Sequence, residues 1–147
     1  MILAHLIVGV FPANNSDFSL SWFAGSIIPD IDHLFLLAKN RIFSWKKIVE
    51  YMRFSDSHDI KFKTKYFHSL FGAISLSLPL LLVGPQVFRT FLFAYLLHLL
   101  LDWPDHDEKL YLYPFNNKKF KGFLPIFSRP EIVFTLTLIA LYCFKYF

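Results

Sequence analysis

The chain is poor in three things, and each scarcity narrows what it can be. It holds one cysteine, Cys143, among 147 residues. That excludes an internal disulfide and a thiolate-rich metal site, so any metal must be held by histidine and carboxylate. Glycine is scarce, five in all, and no glycine-rich linker, repeat or low-complexity tract divides the sequence. A length of 147 residues then reads as a single domain, 1–147, with one core. Lysine and arginine are absent before Lys39. The apolar start therefore lacks the basic leading region and small-residue cleavage site of a secretory signal, already carries His5, and reads as mature protein.

What the chain has in abundance is apolar surface. Hydrophobic residues make up 55% and aromatics 20%, with 19 Phe, and the mean hydropathy is +0.44. Ordinary soluble domains carry more charge than this, so the composition indicates a membrane protein. The net charge is +4, and its distribution says more than its size. Eight of the 15 basic residues fall between Lys39 and Lys65, and four between Lys109 and Lys121. Such loops stay on the cytoplasmic side and meet anionic head groups, which makes membrane lipids the expected partner. Nucleic acid is not expected, because Glu50, Asp56 and Asp59 interrupt the basic stretch and no dense tract forms.

The segments read as helices. Met1 to Phe11 is apolar and closed by Pro12, and Asn14 to Asp17 supply a turn; Phe18 to Ile28 follows and is stopped by Pro29. Ile42, Phe43, Trp45, Ile48, Val49 and Met52 recur at spacings near three and four, as in an amphipathic interfacial helix. Phe67 to Gly84 carries His68, with Pro79 as a kink, and Val87 to Leu101 returns after the Gly84–Pro85 turn. Both are shorter than the roughly 20 residues that cross a bilayer comfortably. Trp103 to Lys121 reads as a polar, aromatic interfacial loop, and Pro130 opens a last apolar helix to Phe144. No alternating strand pattern appears. The expected class is all-α: a small helical membrane protein, multi-pass or partly embedded, built of helical hairpins with a His/Asp cluster at one end.

Two charge-bearing groups interrupt this apolar background. His98 and Asp102 lie four apart in a helical stretch, which puts both on one face with Cβ atoms about 6 Å apart, a gap one metal ion can bridge. The plainer explanation is a hydrogen-bonded core histidine beside a helix-end carboxylate. Asp30, Asp32 and His33 follow Pro29 directly. A capping turn would account for one aspartate; the second and the histidine are surplus in a setting where a lone charge costs several kcal/mol.

Topology links these groups. If the hairpin turns at Gly84 to Gln86, His68 and Asp102 each lie about 16 residues from the turn and share a level, with His98 one turn deeper. The same construction about Pro12 to Asp17 brings His5 toward Asp30. Four segments then deliver histidine and aspartate to one layer, which suits Zn²⁺ or a pair of divalent ions, with Mn²⁺ or Mg²⁺ as oxygen-favouring alternatives. The expected metal ligands are His5, Asp30, Asp32, His68, His98 and Asp102, with Asp32 or His33 as general base. Asp105 to Glu108 reads as a solvated turn, with His106 at most an outer group, and His58 beside Asp56 and Asp59 reads the same way.

At these residues the chain resembles the inner-membrane-associated, LexA-binding, metal-dependent hydrolases. The matching pieces are the apolar start with His5, GSIIPDIDHLF from Gly25 to Phe35, FHSL from Phe67 to Leu70, HLLLDW from His98 to Trp103, and YPF from Tyr113 to Phe115. Together they run in order along nearly the whole chain. The resemblance implies a helical, membrane-bound protein whose histidines and aspartates bind metal for hydrolysis, with a distant likeness to the zinc-dependent phospholipase C and single-strand nuclease fold. One piece departs: members of that family often carry an HRG-like triplet five residues before the histidine of FHSL, where this chain has Lys63, Thr64 and Lys65.

The functional expectation is a membrane-bound hydrolase in which a metal-activated water attacks a small or lipid-like ester or phosphoester. The alternative is a non-enzymatic protein that binds or transports a divalent cation, since intramembrane histidine and aspartate also mark ion pathways. A structural protein whose aspartates and histidines pair with Lys and Arg is the plainest reading.

Overall fold

The computed structural model describes His5 and residues 19–53, 65–125 and 128–146. The first apolar segment apart from His5, the Pro12 to Asp17 turn, His58, and Lys63 with Thr64 lie outside the described residues.

Six α-helices carry the described part: α1 Ser19–Ile27, α2 Ile31–Lys39, α3 Trp45–Arg53, α4 Leu70–Ser77, α5 Pro85–Asp102 and α6 Arg129–Tyr146. No strand occurs among the described residues; isolated bridges pair Asp105 with Leu124 and Lys109 with Phe120. The all-α expectation is met.

Proline sets the joints. Pro29 has no N–H to continue the α1 ladder, so the chain tightens into a 3₁₀ turn, Ile28–Asp30, and restarts as α2. Pro79 does the same to the second hairpin. The expected helix from Phe67 to Gly84 is α4, eight residues long, followed by a 3₁₀ turn over Leu78–Leu82. Ser69 begins α4, its Oγ accepting from the Gly72 amide at 2.9 Å. Pro85 opens α5, where its missing N–H would have been unsatisfied anyway. The amphipathic helix expected in the basic middle is α3, whose described length stops at Arg53.

The core lies where α1 and α4 pack on α5. Ala73, Phe91, Tyr95 and Leu99 are its buried members, with Ala24, Ile28, Leu76 and Tyr111 packed against them. Gly25 lets α1 approach closely, because a Cβ there would overlap the Phe91 carbonyl oxygen. The segment after α5 doubles back as a strap. The Tyr111 hydroxyl donates to the Leu99 carbonyl at 3.0 Å, and the Leu70 amide donates to the Tyr111 carbonyl at 2.9 Å.

One sequence expectation fails in this strap. Asp105 is buried rather than solvated, and so is Lys109, whose Nζ donates to the Asp105 carbonyl at 2.6 Å. The strap folds over these groups and removes them from water, while His106 stays exposed.

No helix among the described residues is long and apolar enough to cross a membrane. Pro79 cuts α4 short, and α5 carries Arg89, His98 and Asp102 within its 18 residues. The multi-pass form of the expectation, with its transmembrane helices, therefore gains no support from these elements.

Candidate metal centre

The joints described above aim side chains at one point. The Pro29 turn places Asp30 just before α2 and His33 on its first turn, with His33 Nε2 3.4 Å from Asp30 Oδ1. Asp30 stands at the N-cap position of α2, yet its side chain makes no capping hydrogen bond. The capping turn that would have explained it is thus not what the carboxylate does. The turn before α4 delivers His68, and the last turn of α5 delivers His98 and Asp102 on one face. His5 enters from the N-terminal segment, with its ring stacked on His98 at 3.8 Å between centroids.

The separations inside the cluster are distinctive. His5 Nδ1 is 3.4 Å from Asp30 Oδ2, and His5 Nε2 is 3.5 Å from Asp102 Oδ1. His68 Nε2 lies 3.4 Å from Asp102 Oδ2 and 4.0 Å from Asp30 Oδ1. His98 Nε2 lies 3.6 Å from Asp30 Oδ1 and 3.8 Å from Asp102 Oδ2. A good N–H···O bond is shorter, at most about 3.2 Å. Atoms held 2.0–2.2 Å from one tetrahedral ion, by contrast, stand roughly 3.3–3.6 Å from each other.

The ring nitrogens support the same interpretation. Both nitrogens of His5 and Nε2 of His98 are buried and make no hydrogen bond, which costs free energy unless something else satisfies them. Three groups have donor atoms mutually within 4.8 Å: His5, Asp30 and His98; Asp30, His33 and His68; and His68, His98 and Asp102. Histidine with carboxylate is a donor set that zinc accepts. The residues therefore fit a divalent cation.

Behind the cluster, two contacts fix the rings. His68 Nδ1 is 3.1 Å from Asp32 Oδ2, and His98 Nδ1 donates to the Ser26 carbonyl at 2.7 Å. Each contact places a proton on Nδ1 and leaves the Nε2 lone pair facing Asp30 and Asp102, the orientation that ligating histidines need. Asp32, expected as a ligand and as a base, belongs to none of the three groups and sits behind His68 instead. Further out, the Tyr95 hydroxyl donates to the Phe67 carbonyl at 2.7 Å and steadies the turn that carries His68. Burial pushes the Tyr95 phenol well above its usual range, so it stays a donor.

Electrostatics follow from burial and neighbours. Burial brings the His98 imidazole down to about 3, with His5 adding repulsion and Asp102 and Asp30 opposing, so His98 is neutral and its Nε2 is free to ligate. Burial raises Asp30, but the His33 and His5 rings beside it outweigh that and hold its carboxyl well below the usual carboxylate range. Asp30 is also the most open of the group, with 24% of its side chain exposed against 12% for His33 and 4% for His5. It marks the side from which water reaches the cluster.

A family profile described as YdjM inner membrane protein matches residues 2–146. The chain belongs to that family. No curated protein and no solved structure matches it. In this member of the YdjM family the structure brings together His5, Asp30, Asp32, His33, His68, His98 and Asp102 within one cluster, while the exposed His106 is in none of the three groups. The Ser26 carbonyl and the Tyr95 hydroxyl had no signal in the sequence. A backbone acceptor has no residue type, and Tyr95 reads as one more aromatic in an apolar helix.

Proposed function

We propose that this YdjM-family chain is a membrane-associated, metal-dependent hydrolase acting on ester or phosphoester bonds. The observation that supports it is the convergence of His5, Asp30, His68, His98 and Asp102, from separate segments, at N···O separations of 3.4–4.0 Å. Those separations are longer than good hydrogen bonds, and the pairs at 3.4–3.6 Å suit donors sharing a cation. Zinc is the expected ion, because imidazole outnumbers carboxylate around the point and imidazole suits zinc better than magnesium. A bound divalent cation supplies Lewis acidity and brings the pKa of a water toward neutrality. The chain does the rest. Asp32 and the Ser26 carbonyl orient His68 and His98, the buried rings keep bulk water from the centre, and Asp30, the most exposed of the group, offers the approach for a substrate.

Placement at the membrane rests on which faces are buried. On α2, Asp32 is buried while Leu34 and Phe35 are exposed; on α5, His98 and Asp102 are buried while Phe93 and Leu100 are exposed; on α6, Glu131 and Thr135 are buried while Val133 and Leu136 are exposed. Three helices that bury polar side chains while exposing large apolar ones suit a lipid-facing exterior and make a poor water-facing one. Exposed Phe43 and Trp45 beside Lys46 and Lys47 suit the head-group level on the cytoplasmic side. We place the chain partly embedded in the inner membrane.

The test is metal content and hydrolysis of the detergent-purified full chain. Zinc-loaded protein should retain tightly bound zinc and cleave at least one of p-nitrophenyl phosphate, bis-p-nitrophenyl phosphate and p-nitrophenyl butyrate, and His98→Ala with Asp102→Ala should abolish both properties. Failure to retain any divalent ion would defeat the proposal. Tight metal without cleavage of any ester would leave a non-enzymatic cation binder.

A further inference from the structure

Resting on the metal reading above, the geometry points to Tyr111 as a positioning residue for the centre. It lies in the strap and belongs to none of the three donor groups, yet its two oxygens meet the two helix ends that carry His68, His98 and Asp102. Both ends need a partner from outside. An α-helix leaves its first amides and last carbonyls unbonded within itself, and burying such a group costs free energy until something satisfies it.

At the start of α4, the Ser69 side chain takes the Gly72 amide, and the Leu70 amide donates to the Tyr111 carbonyl at 2.9 Å. Leu70 stands two residues after His68. At the end of α5, the Trp103 amide, which in a continuing helix would reach the Leu99 carbonyl, turns to Leu100 at 3.2 Å. The Tyr111 hydroxyl takes its place and donates to the Leu99 carbonyl at 3.0 Å. Leu99 is buried, follows His98 directly and comes three residues before Asp102. One residue therefore ties the turn bearing His68 to the turn bearing His98 and Asp102, across which His68 Nε2 and Asp102 Oδ2 stand 3.4 Å apart. The Tyr111 ring is itself held, packed against the core of Ala73, Phe91, Tyr95 and Leu99 and 5.6 Å from the Phe120 ring. Ligands must keep their places to within about 0.5 Å to share an ion. Without the hydroxyl, the last turn of α5 loses its brace, and His98 and Asp102 drift relative to His68. By linkage, whatever the strap does for a bound ion, the ion does for the strap.

The experiment compares Tyr111→Phe with the unaltered full chain in detergent, reading zinc affinity by chelator competition and the visible spectrum of the Co²⁺-loaded protein. Phenylalanine keeps the ring and the backbone carbonyl and removes only the hydroxyl. Zinc affinity should fall about tenfold, the low end for a lost partner behind a metal ligand, and the Co²⁺ absorption should change in position or intensity. Leu76→Ala, a core truncation near the other end of α4, should lower the denaturation midpoint and leave affinity and spectrum as they were. On the unaltered chain, zinc should slow hydrogen exchange at the Leu70 amide, so a Tyr111→Phe chain that fails to fold still leaves the inference decided. Unchanged zinc affinity or an unchanged spectrum in Tyr111→Phe, an equal loss of affinity in Leu76→Ala, or a Leu70 amide that zinc does not slow would each reduce Tyr111 to packing and leave the hydrolase reading standing. An unaltered chain that binds neither ion would overturn both.

Discussion

Asp32 Oδ2 stands 3.1 Å from His68 Nδ1, and both residues are buried. The carboxylate holds the proton on Nδ1 and points Nε2 at Asp30 and Asp102, so Asp32 would act on a bound metal through His68. Asp32→Asn keeps the size but removes the charge that favours this tautomer and makes the ring more basic. Removing such a partner typically weakens metal binding about 10–100-fold. Competition with a chelator of known zinc affinity measures this directly, and an unchanged affinity would show that the orientation of His68 has another source.

The pH behaviour of the metal-stripped chain follows from His98 and Asp30. Burial lowers the His98 imidazole from its ordinary 6.5 to about 3. As pH falls below 6.5 the unfolded chain takes up a proton that the folded chain refuses, so the stability associated with neutral His98 is full above 6.5 and is lost progressively toward about 3. Asp30 has the same sign at lower pH. Its carboxyl is depressed in the fold, so its contribution is present above 3.8 and is lost as pH falls through the depressed value. Thermal unfolding after chelation should show a falling Tm from about pH 6.5 downward, and His98→Gln should flatten the upper part of that fall.

The level shared by His68 and Asp102 was legible in the sequence because a hairpin turning at Gly84 to Gln86 is nearly symmetric, and the structure puts His68 Nε2 3.4 Å from Asp102 Oδ2. The joint at Pro29 was legible for a similar reason, since a residue without an N–H has few places in a helix. What the sequence concealed was burial imposed from a distance. Asp105 and Lys109 stand in a hydrophilic run and lose their water only because the strap folds over them. The sequence set Asp32 beside Asp30 as a ligand and beside His33 as a candidate base. Only the direction of α2 decides that Asp30 and His33 face the centre while Asp32 stands behind His68.

Gly25 connects packing to the centre. A Cβ at that position would overlap the Phe91 carbonyl oxygen, which is backbone and cannot rotate away. In Gly25→Ala, α1 must therefore shift off α5, and the adjacent Ser26 carbonyl shifts with it from His98 Nδ1. Overpacking of this kind costs about 1–3 kcal/mol. Chemical denaturation should register that loss in the metal-free chain, and zinc affinity should fall as well. Loss of stability with zinc affinity intact would show that His98 keeps its orientation without the Ser26 acceptor.

The end of α2 offers a change in the opposite direction. The Ile42 amide donates to the Leu37 carbonyl at 2.9 Å and the Arg41 amide to the Ala38 carbonyl at 3.1 Å, closing the helix with a left-handed residue at Arg41, φ 54°. Glycine is at ease there, whereas a residue with a Cβ pays roughly 1–2 kcal/mol for the left-handed conformation. Arg41→Gly also frees the unfolded backbone, which offsets part of the gain. The expected net is a stabilisation of about 0.5–1 kcal/mol. It should appear as a higher denaturation midpoint at unchanged slope, with zinc binding untouched because Arg41 lies beyond the far end of α2 from Asp30. A lower midpoint would mean that the Arg41 side chain contributes contacts worth more than the strain it imposes.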